Sequence, residues 1–315
     1  MTMTWYNDFY QQNFLDNLKK TNTHLFLSQQ GEGAEYLIED LIKKLLCTNL
    51  RNQDPCGSCP ACNHVFDEHP QIRILERSPE LKIPVIAIDQ VRELTSFIQL
   101  ASNGEQDKKI IYIKEADILN QSSANALLKN LEEPSTNTYF ILNSYNLAKI
   151  LPTIISRSTL HKLPSPSKKE SEDFLRDQGQ ETSIKFIDLS GNKPYYAIDM
   201  SNQTELINQI VALLLKGKNF DMMSVNDNLL TNGSGFFIEI LQKWIHDLAY
   251  FIEFNETLFF SNLKEKVGLI SKQLSLKETL NFYKKLNEYK KLSETQVNKS
   301  IALDALIIDY KRIFI

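Results

Sequence analysis

A strand, a helix and a second strand between residues 108 and 163 constrain the fold of this chain more than any other stretch. Residues 110–113 form a short apolar run rich in β-branched side chains, which is typical of a buried strand. Residues 122–133 repeat apolar and small side chains at helical spacing and end before Pro134, because the residue preceding a proline avoids the helical conformation. A second apolar run, residues 139–142, follows directly. Two strands joined by a helix predict a parallel sheet, and therefore the α/β class.

A glycine-rich turn near the amino end has the context of a phosphate-binding loop without its chemistry. Residues 24–28 are predicted to be a buried strand, and a helix is predicted from the turn through Leu46. A glycine turn between strand and helix is where backbone N–H groups bind phosphate. Compared with the pattern G-x-x-x-x-G-K-[ST], this turn lacks the lysine and the Mg²⁺-binding hydroxyl, and its glutamates add negative charge. The degenerate loop consists of Ser28, Gly31, Gly33, Ala34 and Glu35.

This degenerate loop predicts that the chain neither binds nor hydrolyses ATP. Ala34 cannot neutralise the β- and γ-phosphates, and Glu32 and Glu35 would repel them. The alternative interpretation is a turn that uses its glycines for steric reasons alone. Both interpretations disfavour nucleotide hydrolysis.

All four cysteines fall within residues 47–62, which is unlike a disulfide framework spread over a secreted domain. Thiolates at this spacing can close a tetrahedral Zn²⁺ site of a structural kind. The main alternative is an iron–sulfur cluster, but the downstream Cys-Pro of ferredoxin sequences is missing. The second alternative is that the four thiols bind no metal. Since four thiolates fill the coordination shell, His64 and His69 are expected to lie outside it. The predicted ligands are Cys47, Cys56, Cys59 and Cys62.

Composition and charge exclude several classes of protein. A formal charge of -4 and a pI near 5.8 oppose unaided binding to a nucleic-acid backbone, which needs a basic face. No window approaches the roughly 20 apolar residues of a membrane span. The first residues have neither the basic nor the apolar region of an export signal, so a cytoplasmic location is expected. A length of 315 residues predicts two or three domains.

Two motifs carry a resemblance to a known family. The run Asn125-Ala-Leu-Leu-Lys-Asn-Leu-Glu-Glu-Pro134, followed by Thr153-Ile-Ile-Ser-Arg157, resembles the bacterial DNA polymerase III clamp-loader family, an AAA+ group. The departure is Ser158, where the family usually has cysteine. The resemblance implies that Arg157 is an arginine finger acting in trans on a neighbouring subunit. The alternative is a surface arginine in a serine-rich loop.

The resemblance also implies that the ATPase has been lost. Hydrolysing relatives end the strand before this helix in Asp-Glu, and the matching positions here are Lys114 and Glu115. A lysine at the metal-binding position repels Mg²⁺. In the region where active relatives place a nucleotide-contacting arginine, residues 190–197 offer only Lys193. The zinc module inserted into the AAA+ domain is likewise a family feature.

The resemblance implies the following architecture and function. Residues 1–165 would form an α/β AAA+ domain, with a parallel sheet, helices on both faces and the zinc module at 47–62. A small helical domain would follow at 166–205, after a Pro-Ser linker, and an all-α collar domain at 206–315. The expected role is that of a non-hydrolysing subunit in a hetero-pentameric ring with γ/τ and δ subunits, which loads the sliding clamp on primer–template DNA. The alternatives are a hydrolysing γ/τ-type ATPase and a zinc-containing nucleic-acid module acting alone.

Overall fold

The computed structural model describes residues 3–78, 85–99, 108–135, 137–220, 234–293 and 299–314. The chain divides into two compact units, Met1–Glu170 and Ser171–Ile315. Among the described helices, none combines the length and the apolar character needed to span a bilayer.

A five-stranded parallel sheet forms the centre of the first unit, with the strand order β2-β3-β4-β1-β5. The strands predicted at 24–28, 110–113 and 139–142 are confirmed with small shifts at their ends, and so is the strand that the apolar residues of 71–76 predict. The fifth strand was not predicted, because its four residues Thr-Leu-His-Lys lie at a sheet edge and are at best half-buried. The strands are β1 Thr23–Leu27, β2 Ile72–Leu75, β3 Lys109–Ile113, β4 Thr138–Ser144 and β5 Thr159–Lys162.

The core of the first unit lies around the two central strands. All seven residues of β4 are buried, as are the last four of β3, which explains why these strands read as continuous apolar runs. Helical side chains complete this cluster, among them Leu127 and Leu131 of the predicted 122–133 helix. Apolar residues on one side of 88–100 predict a second helix, which is described as Ile88–Gln99. Its residues Val91, Leu94 and Phe97 also pack into this cluster.

The helices, in chain order, are α1 Asn7–Tyr10, α2 Gln12–Leu18, α3 Ala34–Leu46, α4 Pro60–Asn63, α5 Ile88–Gln99, α6 Gln121–Glu132, α7 Pro152–Ile155, α8 Lys168–Asp177, α9 Ile187–Ser190, α10 Pro194–Asn202, α11 Thr204–Leu214, α12 Ser234–Phe254, α13 Lys264–Ser271, α14 Leu276–Ser293 and α15 Lys299–Arg312.

The amino-terminal segment differs from its prediction. The apolar spacing of residues 1–20 predicts one amphipathic helix, whereas the structure has a short 3-10 turn at Thr4–Tyr6 and then α1 and α2. Gln11 separates the two helices with an extended backbone, φ -74° and ψ 150°. The aromatic rings then pack against each other at a bend, with the Phe9 and Phe14 centroids 4.8 Å apart. The prediction of one continuous helix is therefore wrong.

The second unit contains helices and no strand among its described residues, as the loss of strand signals after Thr204 predicts. Amphipathic spacing predicts helices at 207–215, 236–254, 276–286 and 297–314. Helices occur at all four places, although residues 297 and 298 lie outside the described part. The short helix α13 was not predicted. Trp244 lies fully buried in this unit and donates from Nε1 to the Tyr310 hydroxyl over 3.1 Å.

A buried carboxylate holds the loop that follows α12. Asp247 is 0% exposed, and its oxygens accept backbone N–H groups of Leu258, Phe259 and Phe260 over 2.8 to 3.3 Å. We expect Asp247→Asn to lower the free energy of unfolding by about 1–3 kcal/mol, because an amide has one acceptor oxygen and leaves a buried N–H donor unpaired. Urea denaturation followed by circular dichroism measures the change. The exposed Glu253 of the same helix supplies the control, since Glu253→Gln should change stability by less than about 0.5 kcal/mol. Equal stability of the two variants would contradict this role of Asp247.

Candidate functional site

The glycine turn after β1 has two glycines with positive φ and leads directly into α3. Gly31 and Gly33 have φ of 86° and 89°, a left-handed conformation that a residue with a Cβ adopts only with strain. Gly33 is the N-cap of α3, so the helix begins directly at the turn. Ala34, at the position of the missing lysine, is buried. The turn therefore joins β1 to α3 through two left-handed glycines, and residues 28–35 contain no lysine or arginine.

A carboxylate of the chain itself takes a donor of this turn. Glu32 is 1% exposed, and its Oε2 accepts the backbone N–H of Gln29 over 3.0 Å. Its carbonyl oxygen accepts Trp5 Nε1 and the Tyr6 hydroxyl, each over 3.2 Å. The Glu32 side chain thus bonds to the backbone of the turn, and the Glu32 carbonyl links the turn to the amino-terminal aromatic residues.

Glu35 adds a second negative group at the start of α3. The Tyr145 hydroxyl donates to Glu35 Oε1 through a short hydrogen bond. Burial, together with the Glu35 carboxylate, raises the pKa of Tyr145 far above its usual range. The position of the Mg²⁺-binding hydroxyl is therefore taken by a carboxylate with a partner of its own.

Two ion pairs lie just after β3, at the positions where the resemblance implies an acidic pair in hydrolysing relatives. Lys114 Nζ lies 2.9 Å from Glu76 Oε2, and Glu115 Oε2 lies 3.1 Å from an Arg77 nitrogen. Partial burial lowers the pKa of Lys114, but the hydrogen bond and charge of Glu76 outweigh it, so the pKa is raised. This position carries a firmly positive charge, which opposes Mg²⁺.

The four cysteines meet at one point beside α3. Cys47 follows the end of α3, Cys59 caps α4 and Cys62 lies within α4. Their sulfur atoms all lie within 4.8 Å of one another, and the Cys56 and Cys62 sulfurs are 3.9 Å apart. Sulfur ligands about 2.3 Å from a tetrahedral Zn²⁺ would stand roughly 3.8 Å apart. The arrangement can hold a metal ion. Among the described residues, this ligand group contains no histidine.

Hydrogen bonds prepare part of this cluster for metal binding. The backbone N–H of Cys56 donates to the Cys47 sulfur and that of Cys59 to the Cys56 sulfur, both over 3.3 Å. Donation by the backbone and side chain of Ser58 lowers the pKa of Cys56 to about 6. Burial raises the pKa of Cys62 to about 12, a penalty that a bound cation would remove. The hydrogen-bond donors around these sulfur atoms therefore suit thiolates that bind a metal cation.

His69 lies beside the cluster, as expected, and both of its ring nitrogens have protein partners. The ring is 3% exposed, with Nε2 3.1 Å from the Ala61 carbonyl and Nδ1 accepting the Gln71 backbone N–H over 3.1 Å. Burial lowers the pKa of His69. His64 is exposed and packs edge-on against this ring at 5.1 Å.

Arg157 lies in the turn between α7 and β5, and its side chain is 34% exposed. One terminal nitrogen lies 2.6 Å from Glu132 Oε1, at the end of α6, and the other donates to the Thr153 carbonyl over 3.0 Å. Ser158, which replaces the family cysteine, donates from its hydroxyl to the Ile154 carbonyl over 2.8 Å. The two motifs of the resemblance thus meet in space through Glu132 and Arg157.

Sequence reasoning missed several of these partners. The bond of Glu32 to the turn and the pairing of Arg157 with Glu132 were not predicted, because each joins side chains to groups whose positions depend on tertiary packing. The glutamate at position 32, which stands in a tight glycine turn in place of a small residue, was the signal in the sequence that could have indicated the bond of Glu32 to the turn.

Lys193 lies before α10 in the second unit and donates its backbone N–H to Ser190.

A parallel sheet that alternates with helices, with a glycine turn after its first strand, defines a protein of the α/β class. Residues 7–167 match the family model described as DNA polymerase III, delta subunit. This match covers just over half of the chain, and the chain belongs to that family.

The curated relatives of this chain support the same family assignment. The chain is 34% identical over 188 residues to the DNA polymerase III subunit delta' of Pseudomonas aeruginosa, covering 58% of this chain and 56% of that protein. It is 31% identical over 173 residues to the subunit of the same name from Escherichia coli, covering 53% and 51%. The chain thus spans about half the length of the curated relatives it matches. A DNA polymerase III gamma subunit-related protein of Thermotoga maritima aligns over 96% of this chain and 98% of its own at 13% identity, with a TM-score of 0.48.

Proposed function

We propose that this chain is the δ′-type subunit of a DNA polymerase III clamp loader and hydrolyses no ATP itself. It acts in the cytoplasm in a hetero-pentameric ring with γ/τ and δ subunits, which loads the sliding clamp on primer–template DNA. Residues 1–165 form its AAA+ domain, 166–205 a small helical domain and 206–315 the collar through which subunits associate. The name shared by its curated relatives supports this assignment.

The observation that most supports this proposal is that the side chain of Glu32 bonds to the backbone of the glycine turn. The Glu32 carboxylate accepts the Gln29 N–H, and no lysine stands at position 34 to neutralise a polyphosphate. Lys114 in its ion pair with Glu76 adds a positive charge where Mg²⁺ would bind. These features oppose the hydrolysing γ/τ-type alternative, and the net charge of -4 opposes a nucleic-acid module acting alone.

We expect the isolated chain to bind no ATP in isothermal titration calorimetry, with or without Mg²⁺. The single variant Ala34→Lys should also fail, because Glu32 still occupies the turn and Lys114 still opposes the metal. The quadruple variant Glu32→Ala/Ala34→Lys/Glu35→Thr/Lys114→Asp removes all four obstacles and should show detectable, Mg²⁺-dependent binding. Micromolar binding by the unmodified chain would contradict the proposal.

The four cysteines hold one structural Zn²⁺ in this proposal. Four thiolates close the coordination shell and leave no open position for substrate, so the metal would supply folding energy rather than chemistry. The mutual sulfur distances and the N–H donors to Cys47 and Cys56 support this ligand set.

Arg157 would complete the ATP site of a neighbouring subunit. Its guanidinium stays protonated and offers a rigid fork of donors to the charge that develops on the γ-phosphoryl oxygens. Its partial exposure at a turn supports the role, since the ion pair with Glu132 can exchange for phosphate without unfolding a buried element.

Reconstitution tests the whole assignment. A ring of purified clamp-loader subunits should load the sliding clamp only when this chain is added, measured as labelled clamp retained on primed circular DNA. Full loading without it, or failure of the chain to enter the ring on gel filtration, would overturn the proposal.

A further inference from the structure

His69 connects the cysteine loop to the sheet through hydrogen bonds on both sides of its ring. Nε2 contacts the carbonyl of Ala61, which lies between Cys59 and Cys62 in the chain. On the other side, Nδ1 accepts the N–H of Gln71, the residue before β2. The His69 carbonyl also accepts the N–H of Ile72, the first residue of β2, over 3.0 Å.

These contacts define the chemical state of the ring. An Nδ1 that accepts a backbone N–H must carry a lone pair, so the ring is neutral and its proton lies on Nε2, where it donates to Ala61. The ring is 3% exposed, so water does not compete for either bond. The buried Nε2–H of His69 therefore fixes the position of the Ala61 carbonyl, which belongs to α4, the short helix that contains Cys62.

The hydrogen bond from His69 to Ala61 matters because of where His69 lies in the fold. Among the described strands, β2 lies at the sheet edge and pairs only with β3, in register Ile72 to Ile110. The edge is thus linked by His69 to the loop that supplies three of the four sulfur atoms. Groups that orient metal ligands in this way commonly change metal affinity by about 10–100-fold when removed.

We propose that His69 is a positioning residue for the four-cysteine metal site, acting through the hydrogen bond from Nε2 to the Ala61 carbonyl and without ligating the metal. This inference rests on the metal site proposed above. It distinguishes the two nitrogens of the ring, since Nε2 serves the cysteine loop and Nδ1 serves the approach to β2.

The two nitrogens can be tested separately. In His69→Gln, the amide nitrogen reaches the place of Nε2 and can still donate to Ala61. In His69→Asn, the amide oxygen lies near the place of Nδ1 and can still accept from Gln71, but the donor to Ala61 is lost. His64→Asn is the matched control, because His64 is exposed and contacts the same ring.

The measurement is Zn²⁺ affinity of the full chain by competition with a chromophoric chelator, with the Co²⁺ absorption spectrum as a second readout. We expect about 10–100-fold weaker binding in His69→Asn, near-normal binding in His69→Gln and no change in His64→Asn. The Co²⁺ bands of His69→Gln should match those of the unmodified chain, because the ligands are the same.

Three results would overturn the inference. Unchanged affinity in His69→Asn would show that the bond to Ala61 does not position the site. Equal losses in both His69 variants would indicate a general packing role, and altered Co²⁺ bands in His69→Gln would indicate that His69 is a ligand. Absence of metal binding by the unmodified chain would instead overturn the proposed metal site and, with it, this inference.

Discussion

Replacing Arg157 by alanine is expected to silence one ATP site of a reconstituted clamp-loader ring while total turnover falls only in part. An arginine finger contributes roughly 10³ to 10⁵ in rate at the site it completes. A ring with several ATP sites keeps the others, so clamp loading should fall more than ATP hydrolysis if the sites act in sequence. The measurement is clamp- and DNA-stimulated ATPase beside clamp loading, with the variant chain in a ring of normal composition.

Two further variants separate a role in catalysis from a role in local structure. Arg157→Lys keeps the charge but loses the planar fork, so it should resemble the alanine variant more than the unmodified chain. Glu132→Gln removes the ion-pair partner and leaves the guanidinium in place. A partly exposed ion pair contributes about 0–1 kcal/mol to stability, so this variant should keep near-normal turnover. If Glu132→Gln and Arg157→Ala fail alike, or if neither changes either rate, Arg157 is a structural or surface residue.

Replacing Cys59 by alanine should abolish metal binding and disorder residues 47–70 while the sheet persists. Structural Zn²⁺ sites in small peptides contribute on the order of 10 kcal/mol of apparent binding energy to local folding. Loss of one of four thiolates opens the coordination shell at the N-cap residue of α4. Elemental analysis of protein purified without chelator measures the metal, and hydrogen exchange over residues 47–70 measures the disorder.

The neighbouring exposed residue Asn63 gives a control for this variant. Asn63→Ala alters the same short helix without touching a sulfur ligand, and it should retain one zinc per chain and full protection. Iron in place of zinc, or no metal in the unmodified chain, would contradict the assignment. Equal hydrogen exchange in Cys59→Ala and the unmodified chain would show that the metal does not order the loop.

The parts of the fold that were predicted correctly are those whose signal is local. β3 and β4 are buried on both faces, so each is a continuous apolar run that reads as a strand without any knowledge of its neighbours. β5 shows the opposite case, since its polar residues form a strand only because β1 offers it an edge. The amino-terminal segment has helical spacing, but Gln11 is extended, and the bend allows Trp5 and Tyr6 to reach the glycine turn.

The sequence by itself determined which chemical groups this protein possesses and which it lacks. Four thiols within sixteen residues can converge in almost any compact loop, and a turn without lysine cannot neutralise a polyphosphate in any fold. Only the tertiary structure decided the partners of these groups. Glu32 meets Trp5 and Tyr6, and Arg157 meets Glu132, across 25 to 27 residues of chain. Hydrogen bonds act only within about 3 Å. Such pairs are therefore set by how the sheet and helices pack, which no local pattern of residues records.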